Sequence, residues 1–536
     1  MKTTLKLGSL LLLLNGSAIT AFSADNSTAI EYFKFLQLGP AKEIFLQNQN
    51  DAEACFYLGE IYNIENKNDS AALFYKKGLS INAEDPYNAI GEAKLELKLN
   101  QGDASKKIEK IAKSHKKDIG VQLAAARAFQ SAGLNYENFL KNARKANNQD
   151  PDILIFEGDM LLKADQVGEA CAKYEMAANV DESCTEAYVK YAKIYAKVNP
   201  DLSIQMLDKL LSKNPSSLVA QQTIAELYYD NGRYKKAAEV YGNFIKSGRP
   251  SERDINRYAG ILFQSQEYDK VLELAGVELN KNPNNMVMRR LAMYSLFESK
   301  KYEEGIKHGD HLMKNNKNFI PRDHIYYARL LNKIKRNDEA IRQFKEAIEL
   351  DPENMDLYKE LAQAFESNEQ YGEAIHTFNL YIDKVGADNV KVADYLQLGQ
   401  LYYSAASNLD SANLDKRNEW FGAADKAFAT VAEKAPENYI GYYWRANTNA
   451  MMDDSDLSQG LALPYYGKVI ELLEADNKSP KRLIDAYNYY GSYYYLRRDL
   501  PTSKQYWEKI LKVDPNHANA KRFIEGIDKE IKEGVK

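Results

Sequence analysis

The histidines are the first residues of this sequence whose type and spacing could support chemistry. His308 and His311 lie three residues apart with Asp310 between them, and His324 follows in the next segment. Imidazoles at helical spacing can hold Zn²⁺ or another transition metal. A metal site needs three or four converging ligands, however, and this stretch is predicted to lie on an outer helix that faces water. We therefore interpret it as a solvated helix face and predict no metal site.

An acidic cluster, Asp453, Asp454 and Asp456, offers carboxylates of the kind that bind Ca²⁺. Its residues lack the spacing D-x-[DN]-x-[DN]-G-x5-E that wraps a calcium loop around the ion. Acidic residues are also common in exposed turns between helices. A solvated turn is therefore the interpretation that we favour for this cluster.

The sequence lacks the short signatures that mark common catalytic sites. G-x-S-x-G, G-x-x-x-x-G-K-[ST], C-x-x-C and H-E-x-x-H are all absent, and the chain has only six histidines. Paired acids are frequent, but nothing predicts the burial that would raise the pKa of one of them for acid–base work. We therefore predict that the protein is not an enzyme and takes no cofactor.

Charge and cysteine content exclude two further classes of protein. The formal net charge of the 536 residues is −5, whereas a nucleic-acid-binding protein needs a basic surface. The three cysteines, Cys55, Cys171 and Cys184, are too few for a disulfide framework. We predict no nucleic-acid partner, and we interpret the cysteines as small packing residues.

The N-terminus has the pattern of a secretory signal. Lys2 and Lys6 precede an unbroken apolar run at Leu10–Leu14, and small residues lead to a cleavage site of the form A-x-S at Ala21–Ser23. The run is too short to span a bilayer, and no later stretch approaches 18 apolar residues. Removing residues 1–23 takes away two lysines, so the net charge moves from −5 to −7. We expect a soluble exported chain, periplasmic or, as the alternative, secreted.

Two adjoining segments within Arg322–Gly386 repeat one pattern, because moving the first by 34 residues places it on the second. Apolar positions three and four residues apart are typical of helices, and a period of this length indicates stacked pairs of antiparallel helices. The matching residues are Tyr327, Ala328, Leu331, Ala340, Phe344, Ala347 and Pro352 in the first segment and Tyr358, Leu361, Ala362, Phe365, Ala374, Phe378 and Tyr381 in the second.

This pattern resembles the tetratricopeptide repeat, whose 34-residue unit carries W-x2-L-G-x2-Y, A-x3-F and a late Pro. It recurs along nearly the whole chain, from Leu58-Gly59 to Tyr490-Gly491. The resemblance implies an all-α fold, a right-handed α-α superhelix of about thirteen helix–turn–helix repeats. In such a solenoid each unit packs only on its neighbours.

The repeats divide the chain into five segments. These are a signal peptide at 1–23, an N-terminal capping segment at 24–51, a repeat array at 52–388, a further array with lengthened loops at 389–517 and a C-terminal capping helix at 518–536. We expect lengthened loops because one second helix, around Ala424, arrives 13 residues late and the excess residues, 405–418, are polar. A longer turn is also expected through Asp453–Asp456.

Tetratricopeptide arrays bind peptides or proteins along a concave face lined by the first helix of each unit. The resemblance therefore points to the fifth and ninth positions of each unit. A chaperone-binding subfamily places Lys and Asn there to clamp a terminal carboxylate, and no unit here carries that pair. Residues at these positions include Phe56 and Glu60, Ile155 and Asp159, Gln222 and Glu226, Ile325 and Arg329, and Lys359 and Gln363.

The C-terminal part of the concave face differs in character from the rest. It is predicted to be lined by Tyr443, Asn447, Asn488, Ser492 and Tyr495. Aromatic and amide side chains can grip an extended peptide or stack on a sugar ring. The alternative interpretation is a tyrosine-rich helix that packs on its neighbour.

Two functions follow as hypotheses. The first is a non-enzymatic exported scaffold that binds a protein or peptide partner through its concave face. The alternative is a carbohydrate-binding component of a glycan-uptake system, although no lipid-anchor cysteine follows the signal. Two Asp-Ser-Ala tripeptides, at Asp69 and Asp410, resemble the motif at which exported Bacteroidetes proteins are O-glycosylated.

Overall fold

A computed structural model describes residues 26–99, 102–247, 250–410, 413–474 and 479–534 of the chain. Within these ranges the regular secondary structure is entirely helical. The chain divides into two compact units, unit 1 at 1–291 and unit 2 at 292–536. The expected signal peptide at 1–23 lies outside the described residues, as do the last two residues of the second Asp-Ser-Ala tripeptide.

Unit 1 consists of consecutive helices that pair into antiparallel hairpins. They are α1 (Asn26–Lys34), α2 (Leu38–Gln47), α3 (Ala52–Ile64), α4 (Asn68–Ile81), α5 (Pro86–Lys98), α6 (Ala104–Ser114), α7 (Ile119–Ser131), α8 (Glu137–Ala146), α9 (Pro151–Lys163), α10 (Val167–Val180), α11 (Thr185–Tyr195), α12 (Pro200–Lys213), α13 (Leu218–Asp230), α14 (Tyr234–Ser247), α15 (Glu252–Gln264) and α16 (Tyr268–Lys281). The next helix, α17 (Met286–Glu298), begins in unit 1 and ends in unit 2.

Unit 2 continues the same order of helices. They are α18 (Tyr302–Asn315), α19 (Pro321–Lys333), α20 (Asn337–Leu350), α21 (Met355–Ser367), α22 (Tyr371–Val385), α23 (Val392–Ser407), α24 (Leu414–Lys434), α25 (Tyr439–Met452), α26 (Leu463–Glu474), α27 (Pro480–Leu496), α28 (Leu500–Val513) and α29 (Ala518–Lys532). From α3 to α28 the described helices make thirteen pairs, which agrees with the number of repeats expected.

The turn between the two helices of a hairpin is built in one recurrent way. A residue with positive φ ends the first helix, as at Asn66, where φ is 57°. The next amide then donates to a carbonyl five residues back, so Lys67 N–H bonds to Tyr62 O at 2.8 Å and Arg336 N–H to Leu331 O at 2.9 Å. This geometry satisfies carbonyls at the helix C-terminus. It therefore ends the first helix of each of these repeats at a fixed place.

Small residues let the hairpins approach closely. The ring of Tyr75 on α4 is fully buried between two glycines, Gly59 on α3 and Gly91 on α5. A Cβ on either glycine would lie 2.3 Å from Tyr75 Cε1, inside van der Waals contact. The Gly of the L-G pair in this repeat is therefore required because a second-helix aromatic occupies the space of a side chain.

The two repeats that define the period have the predicted structure. They form α19 to α22, and the residues that recur between them lie in the core of unit 2, with Ala328, Ala340 and Phe378 fully buried. Phe344, Tyr358 and Phe365 pack in one cluster with Phe378. The prediction of an all-α helical-repeat fold is confirmed.

Residues 405–418 differ from the long loop expected from their polar sequence. α23 continues to Ser407 and α24 already begins at Leu414, so most of the excess is helical. α24 has 21 residues, against 14 in α20. The longer turn expected through Asp453–Asp456 occupies the connection 453–462 between α25 and α26.

The two ends of the described chain are helical. The segment predicted to cap the N-terminus contains the hairpin α1–α2, and the C-terminal segment contains α29, which buries Ala520 and Ile527. In the described ranges no helix combines the length and apolar character that crossing a membrane requires. The three cysteines are free thiols, with Cys55 and Cys171 buried, in agreement with a packing role.

Candidate functional site

Unit 1 contains a cavity of about 600 Å³ that is bordered by α1 and by the first helices of five successive hairpins. The first helices α3, α5, α7, α9 and α11 contribute one or more side chains each, and no second helix contributes. The cavity therefore lies on the side of unit 1 that the first helices line. We call the surface that these helices present the unit 1 groove.

Ion pairs join the first helices of neighbouring hairpins across the groove. Glu60 and Lys94, each in the ninth position of its helix, pair at 2.8 Å, and both side chains are more than four-fifths buried. Asp159, also in a ninth position, pairs with Lys190 at 2.6 Å. These contacts fix each carboxylate and ammonium and neutralise most of the charge on the groove wall.

Glu60 is also held in place by the second helix of its own hairpin, α4. The buried hydroxyl of Tyr75 donates to its carboxylate at 2.6 Å. Burial by itself raises the pKa of the Glu60 carboxyl, but the charge of Lys94 and hydrogen bonds from Lys94 and Tyr75 outweigh that effect, so the pKa lies below its ordinary value. Asp159 repeats the arrangement, because Tyr174 donates to it at 2.7 Å.

Arg127 interrupts this row of ion pairs. It occupies the ninth position of α7, borders the cavity and is exposed. Its guanidinium lies 5.6 Å from the ring centroid of Phe156, and within the described part of the chain it makes no ion pair with a carboxylate. Arg127 is therefore a cation of the groove whose hydrogen-bond donors are available to a ligand.

Aromatic side chains from three helices surround the same cavity. Phe33 of α1 and Phe56 of α3 both pack edge-on against Tyr57, with ring centroids 5.1 and 5.2 Å apart. Phe56 also lies 5.6 Å from Tyr87 of α5. Burial raises the pKa of Tyr57 and of Tyr87 to about 12, so both are neutral hydroxyl donors at physiological pH. The cavity thus combines apolar ring surface with fixed polar groups.

A second cavity, of about 1190 Å³, lies further along the groove of unit 1. It is bordered by the turn between α1 and α2, by α11, α13 and α15, and by Tyr241 of α14. Glu226 and Arg257 form an ion pair in its wall. Leu36, whose φ is 58° and whose side chain is 70% exposed, borders both cavities.

The arrangement has the composition of a ligand-binding pocket. Its charged groups are mostly paired, and among the described residues no three His, Cys, Asp or Glu side chains are placed to hold a metal ion together. Concave sites with apolar walls and a few placed polar groups are typical of ligand pockets. A free guanidinium beside aromatic rings is a common anchor at protein interfaces.

Two of the residues predicted from sequence, Tyr443 and Asn447, lie on α25 in unit 2 and make internal hydrogen bonds. Tyr443 is 5% exposed, and its hydroxyl donates to Asp485 at 2.9 Å and lies beside Arg482. Asn447 accepts a hydrogen bond from Tyr466 at 2.9 Å. Both side chains therefore hold α25 against α26 and α27.

The other three residues lie on α27. Tyr495 donates to Glu530 of α29 at 2.5 Å and packs edge-on against Phe523. Asn488 is exposed and Ser492 is half-buried. Tyr443 and Tyr495 contact different helices, so the structure distributes the five predicted residues along the array.

The acidic turn of unit 2 is organised by an arginine. Asp453 accepts backbone N–H groups from Gln459 and Leu461, and Asp454 accepts the N–H of Ser458 at 2.8 Å. The guanidinium of Arg497 donates to the carbonyls of Leu457 and Ser458, at 2.5 and 2.8 Å. The carboxylates thus cap backbone donors of the turn itself.

Glu60 and Asp159 of the unit 1 groove were predicted from the repeat register, whereas its cations Lys94 and Arg127 were not. Lys94 belongs to the second full repeat, 86–119, in which several apolar signature residues are replaced, and Arg127 belongs to the third, 120–150. Their ninth-position register, shared with Glu60 and Asp159, was the signal that could have found them. No pattern in the sequence placed α1 next to them.

Residues 328–369 match the family model of the TPR repeat. The C-terminal part of a TPR repeat-containing protein from Cytophaga hutchinsonii is similar in structure, with 28% identity over 50% of this chain and 99% of that one and a TM-score of 0.43. A tetratricopeptide repeat protein from Parabacteroides merdae is 15% identical over 49% of this chain and 100% of its own, with a TM-score of 0.30. Yeast Tom70 is 15% identical over 72% and 88% of the two chains, with a TM-score of 0.28. No curated protein was found to match the sequence.

Proposed function

We propose that the chain, whose residues 328–369 match the family model of the TPR repeat, is a non-enzymatic scaffold that binds a protein partner in the unit 1 groove. Repeat arrays present extended concave surfaces for binding. The groove of unit 1 has such a surface, with two cavities between the first helices. The proposal concerns this groove because its wall carries both a free cation and accessible aromatic rings.

The observation that carries the proposal is the state of Arg127. Its neighbours in the ninth-position row, Glu60, Lys94 and Asp159, are satisfied by ion pairs within the groove. Arg127 is exposed and lacks such a pair among the described residues. Guanidinium groups bind carboxylates through two parallel N–H donors, which gives direction as well as affinity.

The partner segment that fits carries a carboxylate next to an apolar or aromatic side chain. The carboxylate would bind Arg127, and the apolar group would pack on the rings of Phe56, Tyr57 and Tyr87. An anchor of this kind contributes most of the binding energy where it is surrounded by packed side chains. The remaining groove wall would contribute shape.

The test is a matched pair of charge reversals on one hairpin. Arg127→Glu changes the groove on α7, whereas Lys141→Glu changes an exposed residue on α8, the outer helix of the same hairpin. A photoreactive residue in place of Tyr87 should crosslink to a partner segment in the native envelope. The crosslink should disappear in Arg127→Glu and persist in Lys141→Glu. Equal crosslinking in both variants would contradict the proposal.

We also propose that the protein is exported and acts in the periplasm. The support is the sequence pattern of residues 1–23, a basic start, a short apolar run and a small-residue exit. N-terminal sequencing of the purified native chain should give Ala24 as the first residue, and cell fractionation should place the chain with periplasmic markers. A native chain that keeps Met1 would contradict export by this route.

A further inference from the structure

Helix α1 packs against helices that are distant from it in sequence. It contacts α11 and α13 as well as α2 and α3. The carboxylate of Glu31 accepts the Ser217 hydroxyl at 2.5 Å and the Val219 N–H at 3.2 Å, at the N-terminus of α13. Just beyond α1, Gln37 donates to Gln222 at 2.8 Å. These bonds join residues 185 to 188 positions apart.

A cation of α1 completes the contact. The Lys34 ammonium lies 3.0 Å from Glu186 on α11 and 3.6 Å from Asp152 on α9. Burial alone would raise the pKa of Glu186, but the charges of Lys34 and Lys190 outweigh burial and lower it. A cation of α11 also contacts this segment, because the Lys193 ammonium lies 5.3 Å from the ring centroid of Phe35, the residue after α1. We call Glu186, Lys193, Ser217, Val219 and Gln222 the α1-docking surface.

The helix that occupies this surface depends on it for its own stability. α1 has nine residues, whereas isolated helices shorter than about 12–15 residues are marginal in water. Within α1 only Ala29 and Tyr32 are buried, so the helix contributes little to an apolar core. The contacts with α11 and α13 include two hydrogen bonds and an ion pair, which another segment with the same groups can form in their place at little net cost.

The groove offers space beside α1 for such a segment. One cavity borders the helix at Phe33 and Lys34, and the other borders the following turn and the first residues of α2, up to Pro40. The groups that α1 contacts, a helix N-terminus and a carboxylate, attract an acidic and a basic side chain respectively. In α1 these are Glu31 and Lys34, three residues apart and therefore on one helix face.

We propose that the α1-docking surface is a binding site for a short amphipathic helix and that α1 is its exchangeable occupant. The partner segment that fits carries an acid that reaches the N-terminus of α13, a lysine three residues later for Glu186, and an aromatic residue for Lys193. This inference rests on the proposed function, because it names the class of partner segment that the unit 1 groove takes. Binding then proceeds by displacement of α1.

The test uses the full chain and a labelled synthetic peptide of residues 24–40 as the probe. Glu31→Ala combined with Lys34→Ala loosens α1 and leaves the docking surface intact. Fluorescence anisotropy should show that the peptide binds this double variant at least tenfold more tightly than the wild-type chain. Glu43→Ala, an exposed change on α2, should behave like the wild type.

A charge swap shows whether the peptide binds where α1 was. Gln222→Lys places an ammonium at the docking surface, near Asp254, which already accepts a hydrogen bond from Gln222 at 3.1 Å. In the loosened chain, a peptide with Gln37→Glu should bind the Gln222→Lys variant at least fivefold more tightly than the unmodified peptide does. Light scattering should give the same monomer mass for the loosened and wild-type chains.

Three results would overturn the inference. Absence of peptide binding in every combination would mean that α1 is only a structural brace. Binding that ignores the charge swap would place the peptide elsewhere. A doubled mass of the loosened chain would mean that a second copy supplies the helix. None of these results depends on the crosslink from position 87, so the proposed function and this inference can fail separately.

Discussion

The hydroxyl of Tyr75 and the carboxylate of Glu60 are joined by a 2.6 Å hydrogen bond between the two helices of one hairpin. Through Glu60 the bond extends to Lys94 on the next hairpin. One buried phenol thus orients a carboxylate that faces the groove, and the carboxylate links two repeats. The same relationship between Tyr174, Asp159 and Lys190 shows that it is a property of the repeat.

Replacing Glu60 should make the stability of this region depend less on pH. The pKa of the Glu60 carboxyl is lowered in the folded protein, so its contribution is present above the ordinary value of 4.5 and is lost as the pH falls through the folded pKa. At pH 7, Glu60→Gln should cost about 2 kcal/mol, the usual contribution of a hydrogen bond to a charged group.

Hydrogen exchange of the peptides from α3 and α5 measures this effect locally. The difference in protection between wild type and Glu60→Gln should be largest at neutral pH and should shrink as the pH falls below 4.5. Lys141→Ala, on the outer face of unit 1, serves as the control and should not change the pH profile. A difference that is constant with pH would contradict the assigned role of the charge.

Replacement by alanine should change the stability of unit 1 in opposite directions at two glycines of first helices. Gly59→Ala places a Cβ 2.3 Å from Tyr75 Cε1, so it should destabilise unit 1 by about 1–3 kcal/mol, the usual cost of overpacking. Gly260 on α15 has no neighbour within 4 Å of the position of an added Cβ. Gly260→Ala should stabilise by about 0.5–1 kcal/mol through helix propensity. Urea unfolding followed by circular dichroism measures both changes.

Partner binding should require the shape of the Arg127 guanidinium as well as its charge. Lysine keeps the positive charge but cannot give two parallel hydrogen bonds to a carboxylate. Once the partner segment is known, Arg127→Lys should weaken its binding by about tenfold and Arg127→Ala should weaken it further. Titration calorimetry measures both affinities. Equal affinity of the wild-type and lysine chains would reduce the role of Arg127 to a general electrostatic one.

Tyr443 should report on stability rather than on sugar binding. Its ring is 5% exposed, so Tyr443→Ala should destabilise unit 2 by about 3–5 kcal/mol, the usual cost of removing a buried aromatic ring. Tyr443→Phe keeps the ring and should cost only about 1 kcal/mol for the lost hydroxyl bond. Fluorescence of Trp444, whose ring centroid lies 6.1 Å from that of Tyr443, follows the unfolding. Specific sugar binding lost in both variants, without loss of stability, would instead favour the glycan-uptake alternative.

The turn at 453–462 should lose order when the hydrogen-bond donors of Arg497 are removed. Arg497→Met keeps an apolar stem but removes the donors to the carbonyls of Leu457 and Ser458. Amide exchange in the turn should then become faster by about tenfold, the equivalent of about 1.4 kcal/mol in local opening. Arg522→Met, an exposed change on α29, is the matched control. Unchanged exchange in the turn would show that its aspartates alone hold it.

The sequence predicted the parts of the fold that repeat. Residues such as Ala340 and Phe378 recur at a fixed spacing because the same packing recurs, and the structure buries them as expected. The helical character of 405–407 and 414–418 was missed because polar side chains on the solvent face of a helix give no apolar periodicity to detect. Propensity alone rarely decides such a segment, since packing of its other residues overrides it.

The candidate site was less predictable, for a different physical reason. The pairing of Glu60 with Lys94 follows a regular register, and a search for charges at ninth positions would find it. Arg127 is available because no carboxylate among the described residues forms an ion pair with it. The sequence alone does not show which carboxylates lie near Arg127 in space. The contact of Glu31 with Ser217 joins segments that share no pattern.

That contact also changes how unit 1 should fold. A linear array can lose its terminal repeats one at a time, because each repeat meets only its neighbours. The bonds from Glu31 and Gln37 to α13 connect the first hairpin, α1–α2, to the sixth hairpin after it, which begins with α13. The segment between these two hairpins therefore forms a closed loop. Contacts between such distant residues slow folding but make the enclosed hairpins unfold together. The N-terminal end of the solenoid should therefore resist fraying, and fraying should begin when α1 leaves the groove.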